Sequence, residues 1–99
     1  MSVVLIGYRG TGKSTVARLL AQRWSLDAVD ADCELESRAG KTIAEIFAAE
    51  GEGAFRDLET TVLRDLVPRE KTIVAAGGGA ILREENRKII AEAEWIVWL

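Results

Sequence analysis

Ninety-nine residues of 48% hydrophobic composition bound the chain to one small domain with a real core, and exclude two independently folding units. A formal charge of -3 supplies no basic footprint, which excludes the clustered Lys and Arg that nucleic acid or an anionic membrane surface demands and leaves a small-molecule ligand. A single cysteine, Cys33, excludes an internal disulfide and a metal held by a thiolate cluster, and favours a reducing compartment.

The opening MSVVLIG lacks the basic leader and the apolar length of a secretory signal, and no segment approaches the roughly 18 apolar residues of a membrane helix, so a soluble cytoplasmic protein is expected. Residues 2–6 form a β-branched and leucine run closed by Gly7, the pattern of a parallel strand buried on both faces. From Lys13 onward Ala17, Leu20, Ala21 and Trp24 recur at helical spacing, and the spacing predicts a helix packed through those four positions. A second strand is predicted over 27–30 and a short polar helix over 33–39, stopped by Gly40. Thr42 with Glu45 three residues on is a capping-box signature before the apolar face of Ile43, Ile46 and Phe47. Gly51 and Gly53 interrupt that helix before a longer one carrying Phe55, Leu58, Val62 and Leu66, which Pro68 ends. A third strand is predicted over 72–76, then Gly77 to Gly79, a helix over 82–91 in which Glu84 precedes Lys88 by four, and a terminal strand WIVWL. Strands alternating with helices predict a parallel sheet covered on both faces. The last strand, with Trp95 and Trp98, has nothing after it in the sequence to cover it, which reads as a chain cut short and as a surface through which copies could associate.

Residues 7–15, GYRGTGKST, satisfy G-x-x-x-x-G-K-[ST] between a strand and a helix, the context in which this pattern cradles phosphate. Gly10, Thr11, Gly12, Lys13, Ser14 and Thr15 are the predicted nucleotide-binding residues. Main-chain N–H groups and the helix N-terminus face the phosphates, Lys13 reaches the β- and γ-phosphates, and Ser14 ligates Mg²⁺. ATP or GTP is the expected ligand.

Ligands of such sheets gather at the carboxyl ends of the strands. Asp30 and Asp32 follow the second strand. The aspartate that commonly ends another strand to hold Mg²⁺ is missing from TIVAA, which makes Asp30 its substitute, while Asp32 would accept or align the proton of an attacking hydroxyl. Either aspartate could instead be a helix cap. Arg56 offers a planar fork for a substrate carboxylate, or else a surface pair with Glu52. Gly77, Gly78 and Gly79 either admit a ligand close to main-chain N–H groups or form a turn. Cys33, Trp24, Phe47 and Phe55 read as packing residues, the two phenylalanines also as candidates to line a pocket.

GYRGTGKST, DAVDAD, IAEIFAAEGEGAFRDLE, AAGGGA and WIVWL together resemble the shikimate kinases in order and spacing over nearly the whole chain. The resemblance implies a P-loop NTPase type three-layer α/β/α fold in a single domain over 1–99, truncated after the fourth strand, with WIVWL beside strand one. It implies transfer of phosphate from ATP to the 3-hydroxyl of shikimate in aromatic amino-acid biosynthesis, by an enzyme monomeric when complete. Lys13 and Ser14 would serve the nucleotide and Mg²⁺, with Asp30 reaching the metal through water. Asp32, as base, and Arg56 would bind the hydroxyls and carboxylate of shikimate, with Gly77, Gly78 and Gly79 closing on the same substrate. Phe47, Phe55 and Glu59 match positions around the pocket. Members of that family continue into an arginine-bearing lid, a further substrate arginine, an adenine-contacting loop, and another strand and helix, so the 99 residues alone are expected to be a poor catalyst. Other readings are a P-loop kinase for another polyol acid, such as gluconate, and a lidless nucleotide-binding module.

Overall fold

The computed structural model describes residues 2–7 and 12–99. In chain order the elements are β1 (Ser2–Ile6), α1 (Lys13–Trp24), β2 (Asp27–Asp30), α2 (Ala31–Ala39), α3 (Ile43–Leu66), β3 (Thr72–Ala75), a 3₁₀ turn (Ala80–Leu82), α4 (Glu84–Ile90) and β4 (Trp95–Trp98). The four strands pair in parallel in the order β2-β3-β1-β4, with WIVW beside β1 as the resemblance implied.

Successive side chains of a strand point to opposite faces, and the apolar runs of β1 and β3 fill both. Val4, Ile6, Val74 and Ala76 join the core shared with α2, α3 and α4, where Leu35, Ile46, Leu63 and Leu66 are at most 2% exposed. Val3, Leu5, Ile73 and Ala75 turn to the other face, against Ala17 and Ala21 of α1. This is the expected α/β/α layering. Every residue from Val3 to Ile6 is buried, whereas β2 is exposed or half-buried throughout, so at about 1.5–3 kcal/mol per buried aliphatic side chain the two central strands anchor the sheet. Their carboxyl ends, at Gly7 and Ala76, open the crevice in which the site forms.

Several expectations need adjustment. Trp24 is 47% exposed rather than packed, and α1 meets the sheet through Ala17 and Ala21 instead. Helix α2 starts two residues early, at Ala31, because Asp30 caps it. The break in α3 lies at Gly51 alone, whose φ of 86° and ψ of 173° belong to a region essentially reserved for glycine; Gly53 is helical. Strand β3 ends at Ala75, although the Ala76 amide still donates to the Leu5 carbonyl at 3.0 Å. The helix predicted over 82–91 is split. Bonds from the Ala80 amide to the Gly77 carbonyl (3.0 Å) and from the Leu82 amide to the Gly79 carbonyl (3.1 Å) make a tight turn, Arg83 is extended, and α4 begins only at Glu84. The Arg87 guanidinium then donates to the Ile81 and Leu82 carbonyls at 2.7 and 3.2 Å, satisfying the end of that turn.

The edge strand β4 presents Trp95, Ile96 and Trp98 at 61%, 40% and 64% exposure. Among the described residues, no helix is long and apolar enough to cross a membrane.

Candidate active site

The first wall of the crevice is the start of α1. Gly12 caps the helix in the left-handed region, at φ 82°, and supplies no side-chain acceptor, so the first-turn N–H groups face the opening without a side-chain cap. The Lys13 ammonium donates to the Gly7 carbonyl at 2.5 Å and so bridges the ends of the loop. Gly10 and Thr11, two of the predicted nucleotide contacts, lie outside the described residues.

Asp30 is the helix cap that the sequence allowed, and it also meets Ser14. One carboxylate oxygen accepts from the Asp32 and Cys33 amides at 2.9 and 3.1 Å, capping α2, a contact of the kind worth about 1 kcal/mol. The other accepts from the Ser14 hydroxyl at 2.9 Å. The cap therefore fixes the carboxylate beside the serine. Its negative charge, ahead of burial, also pushes the neighbouring Cys33 thiol upward from its ordinary pKa. Among the described residues no group of three or more His, Cys, Asp or Glu side chains is placed to hold a metal by itself.

The opposite wall is built from α3. The Arg56 side chain is 19% exposed and its Nη1 donates to Glu59 Oε1 at 3.0 Å, while its Nε lies 3.7 Å from Glu52 Oε1. The predicted surface pair with Glu52 thus exists but is the weaker contact. Glu52 is 69% exposed, where such pairs contribute about 0–1 kcal/mol, whereas the Glu59 side chain is 4% exposed and breaking a buried pair costs about 3–5 kcal/mol. Orientation of the guanidinium is therefore set by Glu59. Burial raises the Glu59 carboxyl above its usual pKa, opposed by the hydrogen bond and charge of Arg56 and by Asn86, with the Asp32 charge adding to the rise. The guanidinium also lies 5.2 Å over the Phe55 ring, which stacks at 4.9 Å on Phe47.

The glycine run also accommodates side chains of the opposite wall. A Cβ on Gly77 would stand 2.7 Å from Asp32 Oδ1, and one on Gly79 would stand 2.7 Å from both terminal nitrogens of Arg56. Gly79 has an ordinary φ of -93°, so backbone freedom is not what requires glycine there. The missing side chains make room for the protein's own aspartate and arginine.

Both walls border one cavity of about 550 Å³, within the usual range for small-molecule sites. Gly12, Lys13, Ser14, Thr15, Asp30, Asp32, Arg56 and Gly77 to Gly79 all line it, as do Phe47, Phe55 and Glu59. Ile43 lines it too and was read only as an apolar helix position. Thr60 and Asn86, which stand behind Arg56 and Glu59, were missed. A signal for Asn86 existed: it precedes Ile89 and Ile90 by three and four residues, which places an amide on the apolar face of α4.

The chain matches the family model described as "Shikimate kinase" over residues 9–99. It is 57% identical to a shikimate kinase of Rhodopirellula baltica over 95 residues, which are 96% of this chain and 51% of that protein. Identity to a Chromohalobacter salexigens shikimate kinase is 45% over 98 residues, 99% of this chain and 54% of that one. The chain spans about half the length of the curated relatives it matches. Its fold superposes on shikimate kinase from Acinetobacter baumannii, solved in complex with shikimate, with a TM-score of 0.96, 41% identity, and 98% of this chain and 54% of that chain covered. The Aquifex aeolicus shikimate kinase structure gives a TM-score of 0.94 at 36% identity, covering all of this chain and 59% of the other. With a crevice that sets a phosphate-loop lysine opposite a buried-paired arginine, and a family match over almost all of its length, the chain belongs to the shikimate kinase family.

Proposed function

We propose that the complete protein carrying this chain phosphorylates the 3-hydroxyl of shikimate with ATP, in the cytoplasmic synthesis of aromatic amino acids. The observation that carries this reading is that Lys13 and Ser14 share one cavity with Asp32 and Arg56. In the reaction the 3-hydroxyl oxygen forms a bond to the γ-phosphorus, the bond from that phosphorus to the bridging oxygen of ADP breaks, and the hydroxyl proton passes to the Asp32 carboxylate. Gly10, Thr11, Gly12, Lys13, Ser14 and Thr15 bind the nucleotide, with the Lys13 ammonium on its phosphates. Arg56 clamps the shikimate carboxylate in bidentate fashion, which fixes the ring so that its hydroxyl lies between Asp32 and the nucleotide. Gly77, Gly78 and Gly79 form the floor beneath the ring.

The Ser14 hydroxyl and Asp30 carboxylate, 2.9 Å apart, form an oxygen-only donor set suited to Mg²⁺, which binds through few protein groups and keeps several waters. Ser14 would ligate the ion directly and Asp30 through water. When bound, Mg²⁺ supplies charge neutralisation at the phosphates.

The complete gene product, given ATP, Mg²⁺ and shikimate, should yield ADP and shikimate phosphorylated at O3, identified by phosphorus NMR, and should leave gluconate untouched. ATP turnover that ignores shikimate, or a preference for gluconate, would overturn the reading.

A further inference from the structure

The polar groups behind Arg56 form a chain with a definite direction. Arg83 Nη1 donates to Thr60 Oγ1 at 3.2 Å and to Asp57 Oδ1 at 2.9 Å, and a guanidinium has no acceptor, so the threonine oxygen must accept there. The Thr60 proton is then directed to carbonyl oxygens, that of Arg56 at 3.0 Å and the Asn86 side-chain Oδ1 at 2.6 Å. With its oxygen so engaged, the Asn86 amide turns its Nδ2 to Glu59 Oε1 at 3.2 Å, the same oxygen that receives Arg56 Nη1 at 3.0 Å. Asn86 is 0% exposed and reaches Glu59 from an element 27 residues away.

We infer that Asn86 of α4 is a positioning residue for carboxylate recognition: its amide fixes the Glu59 carboxylate that aims Arg56 into the cavity. The inference deepens the proposed function and rests on the reading that Arg56 takes the substrate carboxylate. Asn86 touches no substrate. A buried residue that served only to fill space would be replaced without penalty by leucine of similar volume, whereas a positioning amide would not.

The test is steady-state kinetics of the complete protein with Asn86→Leu, Asn86→Asp, Arg56→Ala and the Arg56→Ala/Asn86→Leu pair. Asn86→Leu should raise KM for shikimate about tenfold, the effect of losing one hydrogen bond to a charged group, with KM for ATP and kcat within about twofold. In the Arg56→Ala background the same change should add nothing further. Asn86→Asp should bind shikimate worst at alkaline pH and recover on acidification, because a protonated carboxyl can donate to Glu59 as the amide does. The charged groups facing that position are Glu59, Arg56 and Asp57 of α3, Arg83 before α4 and Asp32 of α2. Equal losses in both backgrounds, a matching rise in KM for ATP, or no acid recovery would overturn the inference. Should the wild-type protein not turn over shikimate, the functional reading falls separately, and the Arg56 side-chain N–H resonances of ligand-free protein then decide. They should exchange slowly in wild type and rapidly in Asn86→Leu; no difference would overturn the positioning role.

Discussion

The two walls of the cleft hold charge by different means. The phosphate wall is mainly backbone: a left-handed glycine, an uncapped first helical turn, and an exposed serine fixed by a single carboxylate. The opposite wall relies on side chains, with a half-buried arginine paired to Glu59, which Asn86 contacts in turn, these two at 3% and 0% exposure, and with glycines whose vacant Cβ positions Asp32 and Arg56 approach. A wall made of main chain can grip any polyphosphate and depends on few neighbours. A wall of long side chains selects one acceptor shape, but it depends on every partner that prevents those side chains from adopting other rotamers.

That contrast can be broken first at Lys13. Lys13→Ala should lower kcat by about 10²–10³, as for loss of a preorganised group facing developing charge, while KM for shikimate stays within about twofold in steady-state assays. A shikimate defect larger than the kcat defect would mean the walls are not separate. Gly79→Ala should do the reverse, because its Cβ would displace both terminal nitrogens of Arg56. KM for shikimate is expected to rise roughly 10- to 100-fold with ATP binding retained by calorimetry, in line with misplacements of about 1 Å.

Titration sharpens the contrast further. Burial raises the folded-state pKa of Glu59 above its unfolded value, so the native chain holds that proton more tightly. Its contribution to stability is therefore complete below the ordinary carboxylate range and is lost as pH rises through the raised value. Denaturant unfolding of wild type and Glu59→Gln should accordingly show a stability difference that moves against the wild type as pH increases from about 4. A pH-independent difference would remove burial as the cause. The smallest effect is expected at the far end of α3. Thr42→Ala removes a capping box in which Thr42 Oγ1 accepts from the Glu45 amide and the Thr42 amide donates to Glu45 Oε1, both at 3.1 Å. It should cost about 1 kcal/mol of stability with kinetic constants unchanged.

The same contrast explains what could be read from the sequence. The phosphate wall and its flanking β1 and α1 are contiguous, so spacing alone exposes them, and the Thr42–Glu45 box is likewise local. The acceptor wall joins α2, α3, the glycine turn and α4, and Arg56 alone could not be told from the partner of an exposed Glu52 without the family resemblance. The contact of the capping Asp30 with Ser14 depends on a hydroxyl 16 residues away. The close approach of Asp32 to Gly77 and of Arg56 to Gly79 was not legible, since it depends on where those two side chains come to rest. The split of the fourth helix was hidden for a related reason, because the turn after the glycines is closed by carbonyls that Arg87 reaches only after folding.

The most direct measurement compares shikimate with its methyl ester in the complete wild-type protein and in Arg56→Ala, by kcat/KM at saturating ATP. Wild type should discriminate against the ester by about tenfold or more, the scale of a charge-assisted hydrogen bond, and Arg56→Ala should treat acid and ester alike. Equal discrimination by both proteins would place the carboxylate elsewhere and contradict a cleft that joins phosphate loop and arginine.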